Sequence, residues 1–172
     1  MTSGVRLRPV DDATLSRLVG AALADAAPGE VTPPVTPATT WTPERIRWLQ
    51  RFHVERRAGL DGPAGEATWA VDLDGAVVGA VRLKRTAEPG VLETGIWLTR
   101  GARGRGVGRR AMGAVLDEAL ALGAHEVVAE TTRGNWPALA VLRNLGFSTA
   151  AADGERVVAR RDITGTTRAP GR

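Results

Sequence analysis

The chain contains no cysteine and no tyrosine, and Lys84 is the only lysine among its 23 basic residues. Without cysteine there is no structural disulfide, no thiolate metal site and no cysteine nucleophile. Without tyrosine no phenol can donate a proton. The few serines have no histidine at a recognisable spacing, which argues against an acyl-enzyme. No apolar run approaches the roughly 20 residues that span a bilayer. Met1-Thr2-Ser3-Gly4 passes straight into the alternating Val5-Arg6-Leu7-Arg8, unlike a secretion signal, so the expected location is cytoplasmic, with no membrane partner. The net charge of +4 rests almost wholly on arginine. Such a bias follows from GC-rich coding as readily as from selection, and is weak ground for a nucleic-acid partner.

What is present fits a globular domain. At 172 residues, 43% hydrophobic and 24% charged, the chain is long enough to bury one core. Residues 1–164 are expected to form a single domain, and residues 165–172 a disordered tail. Val5 to Arg8 alternates as a strand. Asp11 or Asp12 can cap a helix running to about Ala27, with Leu15, Leu18 and Leu23 on its apolar side. Residues 28–43 hold Pro28, Pro33, Pro34, Pro37 and Pro43, and read as a loop. Thr42 caps a second helix carrying Ile46, Trp48, Leu49 and Phe52.

Glu66 to Leu73, Ala76 to Lys84 and Val91 to Leu98 follow as three successive antiparallel strands, the first two joined by Asp74-Gly75. A helix with Val107, Ala111, Val115, Ala119 and Leu122 at helical spacing comes next. Val127 to Thr131 is a strand, Asn135 to Leu145 a helix, and a last strand pair surrounds Asp153-Gly154. The order is that of a mixed α/β domain that is not doubly wound.

The most informative segment is Leu98-Thr99-Arg100-Gly101-Ala102-Arg103-Gly104-Arg105-Gly106-Val107-Gly108. Glycines let successive N–H groups turn inward, and the helix that follows adds the positive end of its macrodipole, so the loop is built to hold an anion. Gly104, Gly106 and Gly108 are spaced G-x-G-x-G, which is not a dinucleotide fingerprint. Gly108-Arg109-Arg110 lacks the Lys-Ser/Thr end of a nucleotide P-loop.

Arg103-x-x-Gly106-x-Gly108 resembles the Q/R-x-x-G-x-G/A pyrophosphate loop of the GNAT superfamily of N-acetyltransferases. The likeness extends from Val91 to Phe147: strand, loop and helix, strand, then Asn135-Trp136-Pro137-Ala138 and a closing Gly146-Phe147. It implies the GNAT fold, a mostly antiparallel twisted sheet of about six or seven strands flanked by about four helices. It also implies acetyl-CoA as cosubstrate, with no metal. Arg103, Gly104, Arg105, Gly106, Val107, Gly108 and Arg109 would cradle the phosphates. The main chain of Trp97, Leu98 and Thr99, together with Asn135, would meet the pantetheine arm and thioester. Asn135 is also a natural helix N-cap. Charge-assisted bonds from such N–H groups are worth roughly 1.5 to 3 kcal/mol each.

Acetyl transfer to an amine needs a neutral nitrogen. A lysine-like amine must lose its proton at a cost of roughly 4 to 5 kcal/mol at pH 7, an α-amino group only about 1. Glu93, in Glu93-Thr94-Gly95, sits where Rim-type members of the family often carry a glutamate proposed to deprotonate the amine through water. Its bland alternative is a carboxylate paired to Arg82 on the neighbouring strand. Many members have a tyrosine seven residues after the asparagine as general acid; here Leu142 stands there, leaving water, Ser148 or Asn135 as donors. For His53 and His125 a solvated helix face or turn is the expected setting.

The first helices and their connection usually wall the acceptor site in this family, so residues 25–66 should set specificity. Glu30, Trp41, Trp48 and, across the cleft, Glu130 are the candidate acceptor contacts, with core packing the alternative for both tryptophans. The layout resembles Rim-type enzymes and aminoglycoside acetyltransferases of the kasugamycin type. A small-molecule amine, aminoglycoside or polyamine, is the expected acceptor, with a protein N-terminus second and a homodimer conceivable. A non-catalytic acyl-CoA sensor and a basic nucleic-acid module are the distant rivals. The latter lacks aromatics for base stacking between residues 98 and 110.

Overall fold

The computed structural model describes residues 4–165. The expected tail, apart from Gly165, and Met1 to Ser3 lie outside the described residues. Seven strands form one sheet in the order β1-β2-β3-β4-β5-β7-β6. They are β1 (Val5–Pro9), β2 (Glu66–Leu73), β3 (Ala76–Arg85), β4 (Val91–Leu98), β5 (Glu126–Thr132), β6 (Ser148–Ala151) and β7 (Arg156–Asp162). Every pairing is antiparallel except β4 with β5. Helices α1 (Asp12–Asp25), α2 (Pro28–Val31) and α3 (Pro43–Val54) precede β2; α4 (Val107–Ala121) follows β4, and α5 (Trp136–Asn144) follows β5.

The helices begin where their caps stand. The Asp11 carboxylate accepts from the Thr14 N–H at 2.7 Å, Thr42 Oγ1 from Arg45 at 3.3 Å, and Asn135 Oδ1 from Ala138 at 3.3 Å. The proline-rich stretch departs from the expected loop, because Pro28 opens the one-turn helix α2. Proline is tolerated at a first helical position, where its missing N–H would have had no acceptor. Leu23 and Leu122, expected on apolar faces, are exposed; Val19 and Ala22 fill the α1 face instead.

Two cores sandwich the sheet. Ala67, Val71, Val81, Leu83, Leu92, Val127 and Ala129 pack beneath Val107, Ala111, Met112 and Val115 of α4 and Leu142 of α5. On the other side Ala70, Val77 and Ala80 meet Leu15, Leu18, Val19 and Ala22 of α1 and Leu49 of α3, with Trp41, Trp48 and Trp97 half-buried at the edge. Burying one such leucine contributes roughly 1.5 to 3 kcal/mol. Alternation therefore sorts β4: Leu92 and Thr94 face α4, while Glu93, Gly95 and Trp97 share the α1 and α3 side.

Candidate active site

Strands β4 and β5 pair only from Val91↔Glu126 to Thr94↔Ala129, yet β4 continues to Leu98 and β5 to Thr132. The sheet is split beyond Thr94. Thr99 donates to the Val78 carbonyl at 2.8 Å in register with the β3 pairing, so the main chain of Gly95 and Trp97 also points to β3. The alternate residues, Ile96 and Leu98, turn their N–H and C=O groups into the split. Of the expected trio Trp97, Leu98 and Thr99, only Leu98 presents its main chain there. Ile96 was missed by sequence reasoning, although counting alternate hydrogen-bonding residues along β4 would have found it.

At the head of the split the chain makes a short 3₁₀ turn at Arg100–Ala102 and then enters α4. Gly104 (φ +70°) and Gly106 (φ +72°) adopt left-handed backbone that a side chain would strain, and Gly106 is the N-cap of α4. The N–H groups of Gly104, Arg105 and Gly106 have no main-chain acceptor among the described residues. Those of Val107, Gly108 and Arg109 open the helix, where no intrahelical acceptor exists. Gly108 faces Leu98 and Val141, which a Cβ would meet at 3.6 and 3.8 Å. Arg105 and Arg109 are exposed. The backbone is thus a row of donors at the start of a 15-residue helix, a fit for phosphate oxygens.

Arg103 behaves differently from the rest. Its N–H is spent on the Arg100 carbonyl, and its guanidinium holds the Leu98 carbonyl at 2.8 Å and both Glu30 oxygens at 3.1 and 2.9 Å. Glu30, expected at the acceptor, is held below the usual carboxylate range chiefly by that Arg103 bond. Asp25 likewise accepts from the Gly101 N–H at 2.8 Å. The start of the segment expected to wall the acceptor is thus tied to the glycine-rich loop.

Glu93 lies on the other side of the split, 31% exposed, with Oε1 2.5 Å from Arg82 Nη2. The Arg82 alternative is thus realised, while Oε2 has no partner among the described residues. Glu130 shares that face, because Glu93 pairs with Val128 and Glu130 lies two residues further along β5; it is exposed, 3.8 Å from Arg156. Trp41 donates from Nε1 to the Ala26 carbonyl at 2.9 Å, and Trp48 stacks on Phe52 at 4.9 Å between ring centroids. Both tryptophans pack against the α1 core. His125 is in the exposed turn before β5, as expected, whereas His53 is buried. Leu142 is a core residue, and Ser148 sits on β6 with β5 and β7 between it and β4, which removes it as a proton donor at the split. Asn135 caps α5 at the end of β5.

Among the described residues no helix is long and apolar enough to cross a membrane, and no group of three or more His, Asp or Glu side chains is gathered as a metal would require. A split parallel pair headed by a glycine-rich helix start defines an acyltransferase-type fold with a donor loop on one side and a carboxylate on the other. The family model described as acetyltransferase (GNAT) domain matches residues 5–148, and the chain belongs to that family, the acetyl-CoA-dependent N-acetyltransferases. Solved structures agree in fold. RimJ of Mycobacterium smegmatis, in complex with a CoA disulfide, is 21% identical with a TM-score of 0.72, covering 95% of this chain and 84% of that one. RimL, a ribosomal alpha-N-protein acetyltransferase in complex with coenzyme A, is 17% identical with a TM-score of 0.70, covering 95% and 96%. The yncA protein of Salmonella typhimurium, with acetyl-CoA, is 18% identical with a TM-score of 0.63, again covering 95% and 96%. No curated protein sequence matches.

Proposed function

We propose that the chain transfers an acetyl group from acetyl-CoA directly to a primary amine of a small, cationic molecule of the aminoglycoside or polyamine class. The observation that carries this reading is the placement of Glu93 and Glu130 on one face of the split, opposite the face that bears α4 and its donor loop. Two carboxylates flanking the split suit an acceptor with more than one positive charge.

The donor supplies the thioester carbonyl. Its phosphates would be held by the N–H groups of Gly104 to Arg109, and its pantetheine arm by the main chain of Ile96 and Leu98, with Asn135 at the end of β5. Arg103 sets the loop through Leu98 and Glu30. The free Oε2 of Glu93 accepts the amine proton, directly or through one water, so that a neutral nitrogen attacks. Glu130 orients a second ammonium group of the acceptor. With neither tyrosine nor Ser148 at the split, water returns the proton to the leaving thiolate.

A thiol-release assay with acetyl-CoA against aminocyclitols, polyamines and N-terminal peptides tests the reading. Turnover with the small cations supports it. Turnover confined to the peptides overturns the acceptor assignment in favour of a protein N-terminus. Acetyl-CoA binding with no turnover on any amine would make the chain a sensor.

A further inference from the structure

Four charged side chains run in line from the turn after α3 across three strands to the split. Glu66 on β2 has a side chain only 5% exposed, and each of its oxygens is taken by a different guanidinium: Arg56 Nε at 2.5 Å on Oε2, Arg82 Nη1 at 3.3 Å on Oε1. Arg82 then spends its second terminal nitrogen on Glu93, at 2.5 Å. Arg56 is fixed at its own end, with Nη1 donating to the Phe52 carbonyl at 2.9 Å and the guanidinium 3.7 Å over the Phe52 ring.

We propose that Arg82 is a positioning residue for Glu93, and that Glu66 and Arg56 hold it in that task. The inference rests on the reading of Glu93 as the proton acceptor. A guanidinium fork bridging two carboxylates has its plane fixed, and so fixes the plane of the carboxylate it ends on. Gly95 makes room for it. That residue stands directly opposite Arg82 in the β3–β4 register, and a Cβ there would come within 2.9 Å of Arg82 Nε and 3.4 Å of Cζ. Stability alone is a weak reason for such a chain, since well-packed apolar residues commonly serve as well as a buried ion pair. What an apolar replacement could not supply is a fixed carboxylate at the rim, where a displacement of about 1 Å costs on the order of 100-fold in rate.

The test uses the full chain, acetyl-CoA and the amine of the screening panel with the greatest thiol release. Compared with the parent are Arg82→Gln, Arg82→Lys, Glu93→Gln, Gly95→Ala and the double variant Arg82→Gln with Glu93→Gln. Positioning predicts that Arg82→Gln lowers kcat about as far as Glu93→Gln, on the order of 100-fold, with the double variant no worse than either. KM for acetyl-CoA stays within about threefold, and Arg82→Lys restores part of the rate. Gly95→Ala, which keeps every charge but displaces the guanidinium, should lower kcat roughly tenfold without loss of folding. If Glu93→Gln is crippled while Arg82→Gln and Gly95→Ala turn over at near-parental rates, the positioning role is refuted and the proton-acceptor reading survives. If Glu93→Gln is itself harmless, that reading falls, and with it the role for Arg82. Urea unfolding of the same set needs no acceptor: losses for Arg82→Gln and Glu93→Gln that simply add would show the two side chains uncoupled in solution and overturn the proposal on that ground alone.

Discussion

His53 should make this fold acid-sensitive well above the pH at which carboxylates titrate. It is 2% exposed at the end of α3, with Nδ1 3.0 Å from Thr68 Oγ1 and the ring edge-on to Phe52 at 5.2 Å. Burial pushes its pKa down from the usual 6.5 to about 4, and the positive charge of Arg56 adds to the shift. Protonation in the folded state would place a buried cation beside that guanidinium. Because the folded pKa lies below the unfolded one, the unfolded chain binds the proton first as pH falls. Stability is therefore full above about 6.5 and drains as pH drops toward 4. Integrating the two titrations gives a loss of about 2 kcal/mol between pH 7 and pH 5, approaching about 3 kcal/mol by pH 4.

The assay is urea unfolding followed by tryptophan fluorescence at a series of pH values between 7.5 and 4.5. With a typical slope of about 2 kcal/mol per molar, the parent midpoint should fall by roughly 1 M from pH 7 to pH 5. His53→Gln keeps a group able to bond Thr68 but cannot take the proton. Its midpoint should be nearly flat over the same window, whatever its absolute stability. Asp72, buried between Arg8 and the Gly75 N–H, does not confuse the comparison. Desolvation would raise its pKa, but those two partners outweigh it and hold the group below 3.8, so it titrates under the window. A variant that retains the parent's slope would refute the assignment of acid sensitivity to His53.

Two further outcomes follow from the donor side. Gly106→Ala forces a side chain into the left-handed region at φ +72° and should cost roughly 1 kcal/mol of stability, read by thermal unfolding. Coenzyme A affinity, read by calorimetry, should fall by clearly more than that figure converts to, because the strained residue opens the loop proposed to hold the phosphates. Asn135→Ala removes the Ala138 cap bond and should cost about 1 kcal/mol, and Asn135→Asp should restore that stability.

The sequence was most readable where a local rule acts on neighbouring residues. Asp11, Thr42 and Asn135 each declare a helix start, and each caps one. Strand alternation along β4 puts Glu93 with Gly95 and Trp97, in keeping with Leu92 and Trp97 packing into opposite cores. The four-residue α2 escaped because a single turn leaves no periodicity to read, and proline at its first position looks like a loop signal. Leu122 misled because α4 ends at Ala121 and leaves it as the exposed C-cap, and Leu23 for a reason of its own. Helical spacing gives a stripe but not its width, and α1 is covered only along the narrower stripe of Leu15, Leu18, Val19 and Ala22.

The site itself divides along the same line. Its donor half is a property of consecutive residues, since left-handed glycines followed by a helix make a row of free N–H groups whatever else the chain does. Its proposed acceptor half is made by partners on different elements: Arg103 with Glu30, Gly101 with Asp25, Arg56 with Glu66, Arg82 with Glu93. In a chain so rich in arginine, charge alone could not have chosen among them, because every acidic residue has many candidate partners. Only the Arg82 pairing had a local cue, adjacency on neighbouring strands, and it was the one the sequence suggested. The others depend on how α1 to α3 lie across the sheet. Acceptor selectivity should accordingly be the property most readily changed by substitutions in residues 25–66, while coenzyme A binding by the loop of 98–109 persists.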